Sequence, residues 1–425
     1  MKELIINIQS EKIKKILDRG NIFDQQYLPT VMEILNKVKE GKDKALVELT
    51  KKFDNTDISD GFEVDKKFLE KCYENLPEKL RISLNVAKNN ITEYHKNMLE
   101  KTWMYERADG SILGAKVTPL EKVGVYVPGG KATYPSTVLM NILPAKVAGV
   151  KEVIMVTPAK DGKLNEVVLA AAYLAGVDRV FKLGGAQAVA ALAYGTETVP
   201  KVDKIVGPGN IYVALAKKIV FGSVDIDMIA GPSEILVIAD GNANPEYVAA
   251  DMLSQAEHDE LASAITVTDD KNLALRIAVE IDKQLELLPK KHIAEKSLKD
   301  FGAIIVVKDI DEACDIANEI APEHLELYVK TPFEYLNKIK NAGAIFLGEY
   351  TPEAVGDYLA GPNHTLPTNG TARFFSPLGT YDFVKRSSII NFNKYALEKV
   401  GDNIVEIAKA EGLDAHANSV LKRLK

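Results

Sequence analysis

Apolar side chains recur every three or four positions from residue 9 to residue 98, with Lys and Glu filling the positions between them. Val31, Ile34, Leu35 and Val38 show this spacing clearly. A period of this kind gathers apolar side chains on one face of a helix. The pattern therefore predicts a helical N-terminal segment, with a domain boundary near Leu120.

After an extended segment at 112–120, interpreted as a hairpin or a linker, short apolar runs alternate with helical stretches as far as residue 240. The predicted strands are 123–127, 153–156, 180–183, 204–206 and 235–238. The predicted helices between them are 138–148, 166–175, 186–194 and 211–220. Such alternation requires right-handed crossovers and gives a parallel sheet covered on both faces.

A second alternating block follows, with predicted helices at 246–257, 272–285 and 312–320 and strands at 264–267, 303–307, 325–329 and 344–346. A loop rich in Gly, Pro, Thr and Asn runs from 348 to 379. In a compact domain such a loop is more often functional than idle. A helix at 395–411 is followed by a tail carrying His416, which could reach another subunit. The fold class is therefore α/β, with two parallel-sheet units (121–240 and 241–378), a helical N-terminal segment (1–120) that partly joins the second unit, and a C-terminal tail (379–425).

Charge and cysteine content narrow the functional classes. Lys and Arg total 53 against 60 Asp and Glu, a formal charge of −7, and no basic block stands out. This balance argues against a nucleic-acid partner. Cys72 and Cys314 are the only cysteines, far apart in sequence and outside any CxxC pattern, which argues against a disulfide framework and a thiolate metal cluster. No apolar run reaches the ~20 residues that span a bilayer, so a soluble, unprocessed cytoplasmic protein is expected.

Glycine-rich turns stand near the ends of several predicted strands, where open α/β sheets bind ligands. They are Pro128-Gly129-Gly130, Gly184-Gly185 and Gly207-Pro208-Gly209-Asn210. The dinucleotide fingerprint is absent, because Tyr212 stands where its third glycine belongs. A Walker loop also fails, because Gly124 to Lys131 is one residue too long and Ala132 replaces Ser or Thr. Phosphate binding at a helix N-terminus stays open.

A Glu-His pair, Glu323-His324, stands between a predicted helix and a predicted strand. Either it is a solvated turn, or its two titratable groups transfer protons. Gln255 and His258 are three apart on a predicted helix, so they form either a polar face or two ligands of one metal ion.

Asp357 and His416 could complete a nitrogen and oxygen ligand set for zinc or manganese. The remaining histidines are less informative: His95 and His292 lie in Lys-rich helical surroundings and are expected at the surface.

Seven stretches together resemble one known family. They are GVYVPGG at 124–130, GPGN at 207–210, AGPSE at 230–234, SQAEHD at 254–259, APEHLE at 321–326, GPNHTLP at 361–367 and AEGLDAH at 410–416. Their sequences and their order closely resemble those of histidinol dehydrogenase, and the similarity runs over nearly the whole chain.

The resemblance implies an NAD-dependent oxidoreductase that converts L-histidinol through L-histidinal to L-histidine in two oxidations, the last steps of histidine biosynthesis. It implies one zinc ion per active site, held by Gln255, His258, Asp357 and His416. It implies substrate contacts from these ligands and from Ser233, Glu323, His324, His364 and Glu411. It also implies NAD contacts from Tyr126, Gln187 and Asn210 on an incomplete Rossmann-like domain at 121–240, which explains the missing fingerprint.

The resemblance further implies roles for the Glu-His pair. His324 would be the general base of both oxidations, and Glu323 would activate the water that attacks the aldehyde. A cysteine route through a thiohemiacetal is not favoured, since neither cysteine lies in a motif. The family is a homodimer in which Glu411 and His416 of one subunit complete the site of the other.

Three alternatives remain open at this point. One is a related NAD-dependent dehydrogenase that acts on another polar alcohol, such as a sulfonated diol. Another is a zinc hydrolase in which Glu323 is the base and the metal activates water. The third is a non-catalytic zinc-binding scaffold, which leaves the Glu-His pair and the glycine-rich turns unexplained.

Overall fold

The structure is a computed structural model that describes residues 1–18, 24–129 and 134–425. Gly130 of the first glycine-rich turn, together with Lys131 and Ala132 of the rejected Walker comparison, lies outside the described residues. The helices are α1 Glu11–Asp18, α2 Asp24–Asp54, α3 Lys66–Glu74, α4 Glu78–Lys96, α5 Pro135–Ala148, α6 Glu166–Ala175, α7 Gly185–Tyr194, α8 Ile211–Val220, α9 Pro245–Ala256, α10 Lys271–Leu285, α11 Lys291–Phe301, α12 Ile310–Ile320, α13 Pro332–Tyr335, α14 Glu353–Tyr358, α15 Lys394–Ala410 and α16 Asp414–Leu424.

The strands are β1 Ile5–Ile6, β2 Trp103–Glu106, β3 Ile112–Pro119, β4 Lys122–Tyr126, β5 Glu152–Val156, β6 Arg179–Phe181, β7 Lys204–Val206, β8 Asp225–Ile226, β9 Glu234–Ala239, β10 Ser263–Thr268, β11 Gly302–Val306, β12 His324–Tyr328, β13 Ala344–Leu347 and β14 Val384–Asn391. Short 3-10 turns occur at Lys2–Leu4, Leu336–Lys338, Thr371–Arg373 and Thr380–Phe383. Among the helices of the described residues, none is both long enough and apolar enough to cross a membrane.

A five-stranded parallel sheet, in the order β6-β5-β4-β7-β8, forms the first α/β unit. Because side chains alternate along a strand, Val123 and Val125 of β4 pack with α3 to α6 on one face, and Tyr126 packs with α2, α7 and α8 on the other. The chain runs from β4 through β5 to β6, then crosses to β7 on the opposite side of β4. The sheet therefore has a topological switch point between β4 and β7, where doubly wound folds bind ligands.

A six-stranded parallel sheet, in the order β1-β11-β10-β9-β12-β13, forms the second unit. The strand at 235–238 was predicted to belong to the first unit, and this is wrong: β9 pairs with β10 and β12. The period of apolar positions identifies a strand but carries no information about its sheet. The participation of β1 agrees with an N-terminal segment that partly joins the second unit. The division into domains itself stays a prediction.

A third, antiparallel sheet, in the order β14-β3-β2, was not predicted. The segment at 112–120 does form a hairpin strand, pairing with β2 through the turn at Gly110. Its other partner, β14, is largely exposed along its length. Since neither face of β14 is buried, its sequence lacks the apolar alternation that marks a half-buried strand.

The C-terminal region is a pair of helices, α15 and α16, with a small core of its own. The prediction that His416 lies in a tail beyond the last helix is wrong, because it belongs to α16. Gly412, at φ 73°, lies between the two helices. A glycine after a periodic segment is the usual stop signal, and the short restart at Asp414 was missed.

His95 also departs from expectation, since the residue is fully buried. It continues the buried stripe of α4 formed by Leu84, Ala87 and Ile91, while the neighbouring lysine lies on another face of the helix. Its Nδ1 lies 2.8 Å from the Ile91 carbonyl oxygen. His292, in contrast, is exposed as predicted. Both cysteines are buried free thiols, which confirms that the chain has no disulfide framework.

Candidate active site

The Glu-His pair lies at the connection between α12 and β12, as predicted. Helix α12 ends at Ile320 and is capped by Ala321, whose φ of 52° places a residue with a β-carbon in the left-handed region. This conformation costs roughly 1–2 kcal/mol and turns the chain into the strand. Glu323 and His324 retain only 7% and 4% of their accessible surface. The interpretation as a solvated turn is therefore excluded.

Glu234, at the start of β9, holds this pair in place. Its N–H donates to Glu323 Oε2 at 2.9 Å, and the Glu323 N–H donates back to Glu234 Oε2 at 3.1 Å. His324 Nδ1 lies 2.9 Å from the Glu234 carbonyl oxygen, which can only accept. Nδ1 therefore carries the proton, and the neutral ring has its lone pair on Nε2. This is the tautomer that a general base at Nε2 requires.

Two of the predicted site residues come from α9 and the turn after it. The Gln255 amide nitrogen lies 3.2 Å from His324 Nδ1, and the residue is fully buried. His258 lies just beyond the end of α9 and is exposed, with its N–H bonded to the Gln255 carbonyl oxygen at 3.2 Å. Its surroundings lower its pKa through desolvation, against the attraction of Asp357.

The opposite wall is α14 and the loop that follows it. Asp357 Oδ1 lies 3.7 Å from His324 Nε2. His364 Nδ1 lies 3.0 Å from the Asp357 carbonyl oxygen, and its Nε2 lies 3.2 Å from Thr137 Oγ1 on α5. His364 therefore joins the second sheet unit to the first. Burial lowers the pKa of this histidine.

Glu353 is a member of the cluster that sequence reasoning missed. Its Oε1 lies 3.7 Å from His324 Nε2, and its side chain is 4% exposed. His324, Glu353 and Asp357 bring ligand atoms within 4.8 Å of one another and could hold a metal ion. This group shares only Asp357 with the ligand set implied by the resemblance. The available signal was the spacing of Glu353 and Asp357, because residues four apart on a helix lie on one face.

Electrostatics in this cluster are strongly perturbed. Burial raises the pKa of Glu323 to about 8, with further increases from Glu234 and Glu353. Burial alone would lower the pKa of His324, but the carboxylates of Glu353, Glu323 and Asp357 raise it well above its ordinary value. Burial also raises the pKa of Glu353 to about 7. For Asp357 the neighbouring imidazoles outweigh burial and lower its pKa.

Three polar atoms of the cluster are buried without a hydrogen-bond partner among the residues that the structure describes: Gln255 Oε1, His324 Nε2 and Glu353 Oε2. An unsatisfied buried polar atom costs free energy. Nitrogen and oxygen donors of these types suit zinc or manganese. The donor set therefore fits a bound cation together with a polar substrate.

This cluster surrounds the amino ends of β9 and β12, whereas the predicted dinucleotide residues lie at the carboxyl ends of the first sheet. Tyr126 ends β4, and its hydroxyl accepts the Gly185 N–H at 3.1 Å. Gln187 lies buried in the first turn of α7. Asn210 is exposed and caps α8 through bonds to the N–H groups of Tyr212 and Val213 at 3.1 and 3.2 Å.

The glycine-rich turns pack closely at the same edge. A β-carbon at Gly207 would lie 2.2 Å from the Tyr126 carbonyl oxygen, and one at Gly184 would lie 2.4 Å from Pro158. These contacts pack the turn after β7 against the end of β4, and the turn after β6 against the segment that follows β5. We use the name crevice for the carboxyl edge of this sheet at its switch point. A crevice lined by backbone at the switch point suits a dinucleotide.

The remaining predicted residues differ in position. Ser233 precedes β9, and its carbonyl oxygen accepts the Ser263 N–H at 3.0 Å. Glu411 and His416 are exposed, at the end of α15 and on α16. No hydrogen bond or ion pair joins either residue to the Glu323-His324 cluster within the described part of this chain.

Comparison with known proteins identifies the family. The family model for histidinol dehydrogenase matches residues 17–424. The chain belongs to the histidinol dehydrogenase family. It is 57% identical to the histidinol dehydrogenase of Aquifex aeolicus over 415 residues, 97% of this chain and 96% of the relative. It is 56% identical to that of Syntrophotalea carbinolica over 411 residues, 96% and 95% of the two chains.

A solved structure agrees with this membership. The crystal structure of histidinol dehydrogenase from Elizabethkingia anophelis superposes with a TM-score of 0.93 at 38% identity, covering 98% of this chain and 96% of that one. The family, the α/β fold class and the expectation of an enzyme are confirmed. The chain is an oxidoreductase of histidine biosynthesis.

Proposed function

We propose that this member of the histidinol dehydrogenase family oxidises L-histidinol through L-histidinal to L-histidine, using NAD and a bound zinc ion. The observation that carries the proposal is the Glu323-His324 pair. It places a buried imidazole, bonded through Nδ1 to the Glu234 carbonyl oxygen and with no hydrogen-bond partner for Nε2 among the described residues, beside a buried carboxyl group whose pKa is raised to about 8. Two groups with different protonation chemistry in one pocket suit two successive oxidations at one carbon.

In the first oxidation His324 Nε2 takes the proton of the substrate hydroxyl. The Glu234 carbonyl oxygen, which accepts from Nδ1–H, keeps the ring in the required tautomer and orientation. The surrounding carboxylates of Glu353, Glu323 and Asp357 stabilise the imidazolium that results. The proton must then leave before the second oxidation.

In the second oxidation Glu323 acts on water. Its pKa of about 8 makes it a stronger base than an ordinary carboxylate, because burial disfavours its charged form. It takes a proton from the water that adds to the aldehyde, and His324 takes the proton of the resulting hydrate. Burial of the pair keeps bulk water away from the aldehyde until that step.

Bound NAD supplies the hydride acceptor for each oxidation. Tyr126, Gln187 and Asn210 would hold it at the carboxyl edge of the first sheet, on the domain at 121–240. Bound zinc supplies an anchor for the imidazole and amine of the substrate. Its ligands would be Gln255, His258, Asp357 and His416 of the partner subunit.

Substrate contacts would come from Ser233 and His364, with Glu411 of the partner subunit. The exposure of the C-terminal helix pair, and its own small core, support a role outside its own subunit's cluster. We therefore propose a homodimer with shared active sites. A cytoplasmic location stays a prediction.

The experiment that tests the proposal measures NADH formation from histidinol and from histidinal separately. Glu323→Gln should lose more activity with histidinal than with histidinol, because only the second oxidation needs activated water. His324→Asn should lose both activities. Equal losses in the two steps for Glu323→Gln would refute the division of roles, and no NADH from histidinol with the unaltered enzyme would refute the function. Turnover of an ester or amide without NAD would instead favour a hydrolase.

A further inference from the structure

Asp54, the last residue of α2, lies in the crevice assigned to the dinucleotide. Its Oδ2 accepts a hydrogen bond from Gln187 Nε2 at 3.4 Å. Gln187 is 1% exposed, in the first turn of α7. The hydroxyl of the buried Tyr126 accepts the Gly185 N–H, and burial, with a smaller contribution from the Asp54 carboxylate, raises the pKa of this tyrosine to about 12. Asp54 therefore shares one corner of the crevice with two proposed NAD contacts.

No ion pair with a lysine or arginine involves Asp54 within residues 1–18, 24–129 and 134–425. Its environment is apolar enough that burial alone raises its pKa to about 6. An ionised carboxylate offers about four acceptor positions, and the Gln187 amide occupies one of them. A half-buried carboxylate with unused acceptor positions and no cationic partner is suited to a ligand that provides neutral hydrogen-bond donors.

The vicinal hydroxyls of a ribose are such donors, and a carboxylate accepts from both. The neighbouring N-terminus of α7 provides for the charged part of the ligand. The Tyr126 hydroxyl occupies the Gly185 N–H, but the N-cap residue Gly184 has no side chain to occupy the other N–H groups of the first turn. Phosphate oxygens and ribose hydroxyls would thus find different partners within the same corner.

The position of Asp54 also indicates which ribose it meets. Helix α2 packs with α7 and α8 on one face of the five-stranded sheet. The catalytic cluster meets the other face, where His364 contacts Thr137 of α5. The reacting nicotinamide must lie near Glu323-His324, so the α2 side of the crevice is left for the adenosine half.

Resting on the proposed NAD-dependent function, we propose that Asp54 accepts hydrogen bonds from the ribose hydroxyls of the adenosine half and so makes the enzyme select NAD over NADP. A 2′-phosphate in place of the hydroxyl removes a donor and sets a second anion against the carboxylate. This is the physical basis of NAD selection by acidic residues in dinucleotide folds generally.

The test is direct binding, without turnover. NADH and NADPH are titrated into the full-length, zinc-loaded chain and followed by nicotinamide fluorescence. Asp54→Ala should weaken NADH binding roughly tenfold to a hundredfold and leave NADPH binding no weaker. Asp54→Asn keeps an acceptor for Gln187 while removing the charge, and should lower the NADH-to-NADPH affinity ratio about tenfold or more. Asp60→Asn, an exposed carboxylate six residues on, is the matched control and should change neither affinity.

The outcomes separate the two proposals. Equal weakening of NADH and NADPH in both Asp54 variants would overturn the inference, because it would show a structural role. Unchanged selectivity with normal NADH binding would also overturn it and leave the proposed function intact. Binding of neither dinucleotide by the unaltered chain would overturn the NAD-dependent function and the inference with it. Circular dichroism checks that each variant is folded. If Asp54→Ala does not fold, the nearly isosteric Asp54→Asn still measures the NADH-to-NADPH affinity ratio.

Discussion

Lys217 and Asp227 form a buried ion pair beneath the Gly207 turn, with side chains only 2% and 1% exposed. Lys217 Nζ donates to the Gly207 carbonyl oxygen at 2.9 Å, and Asp227 Oδ2 accepts the Gly207 N–H at 2.7 Å. The pair therefore holds both polar groups of one peptide residue whose φ is 108°. Replacing Lys217→Met, which keeps the length of the side chain, should release this turn.

The loss of stability follows from the groups that Lys217→Met leaves buried without a partner. Breaking a buried pair by removing one partner typically costs about 3–5 kcal/mol, because the other charge stays buried without compensation. The Met228 N–H still bonds Asp227 Oδ1 at 2.6 Å, which limits the loss. The Gly207 carbonyl oxygen loses its donor and adds about 1–3 kcal/mol if water cannot replace it. A loss near 4 kcal/mol corresponds to roughly a thousandfold increase in opening.

Hydrogen exchange followed by mass spectrometry measures this locally. Peptides that contain Gly207 and Asp227 should exchange roughly a thousandfold faster in Lys217→Met at fixed pH. Lys79→Met is the matched control, since Lys79 is exposed on α4 and such surface changes lie within about 0.5 kcal/mol. If exchange around Gly207 is the same in both variants, the pair does not hold the turn and the reasoning fails.

Three further predictions concern the catalytic cluster. Glu353→Gln removes one carboxylate 3.7 Å from His324 Nε2, which should lower the pKa of His324. The acid limb of the pH–rate profile should therefore move roughly one pH unit lower. An unmoved limb would show that this carboxylate does not raise the pKa of the histidine. Mixing inactive His324→Asn and His416→Asn chains should restore part of the activity, and none in confirmed heterodimers would exclude a shared site. Glu323 has a pKa of about 8 in the folded chain against an ordinary 4.5, so its ionisation favours the unfolded chain as the pH rises from 4.5 to 8. Over that range the metal-free unaltered chain should lose about 4–5 kcal/mol of unfolding free energy that the Glu323→Gln variant keeps. Urea unfolding at pH 5 and pH 9 measures that difference, and a pH-independent gap would contradict it.

Local patterns were sufficient for most of the helices and strands. The helices at 166–175 and 211–220 were predicted with their observed limits, because each begins at an asparagine N-cap and carries a dense apolar run. The strand at 204–206 was also predicted at its observed limits. These elements depend on residues within a few positions of one another, and that information is present in a single sequence.

The sheet to which a strand belongs and the geometry of the site depend on residues far apart in the chain, so they were harder to predict from the sequence. Strand β9 pairs with β12, with Ile235 opposite His324, and the hydrogen bond beside this pairing joins Glu234 to Glu323, 89 residues apart in the chain. Neither the hydrogen bond that sets the His324 tautomer nor the approach of Glu353 leaves a periodic signal. The buried surroundings of the Glu-His pair could be recognised only through the family resemblance, since adjacency of Glu and His is equally compatible with a surface turn.

The two proposed half-sites lie at opposite kinds of sheet edge, and this has a mechanistic consequence. The proposed dinucleotide crevice lies at the carboxyl ends of β4 and β7, whereas the proposed catalytic cluster surrounds the amino ends of β9 and β12. Helix α5 is the connection between them: it follows the β4 crevice in the chain, and Thr137 in its first turn contacts His364 of the cluster at 3.2 Å. Asn363, next to that histidine, donates to the Met140 carbonyl oxygen of the same helix at 2.5 Å. The substrate-side loop is therefore fixed to the helix that begins beside the cofactor crevice. Under the proposed function, a site divided between two units can release one NADH and bind a second NAD at the first edge while the second edge retains the aldehyde, as two oxidations at one carbon require.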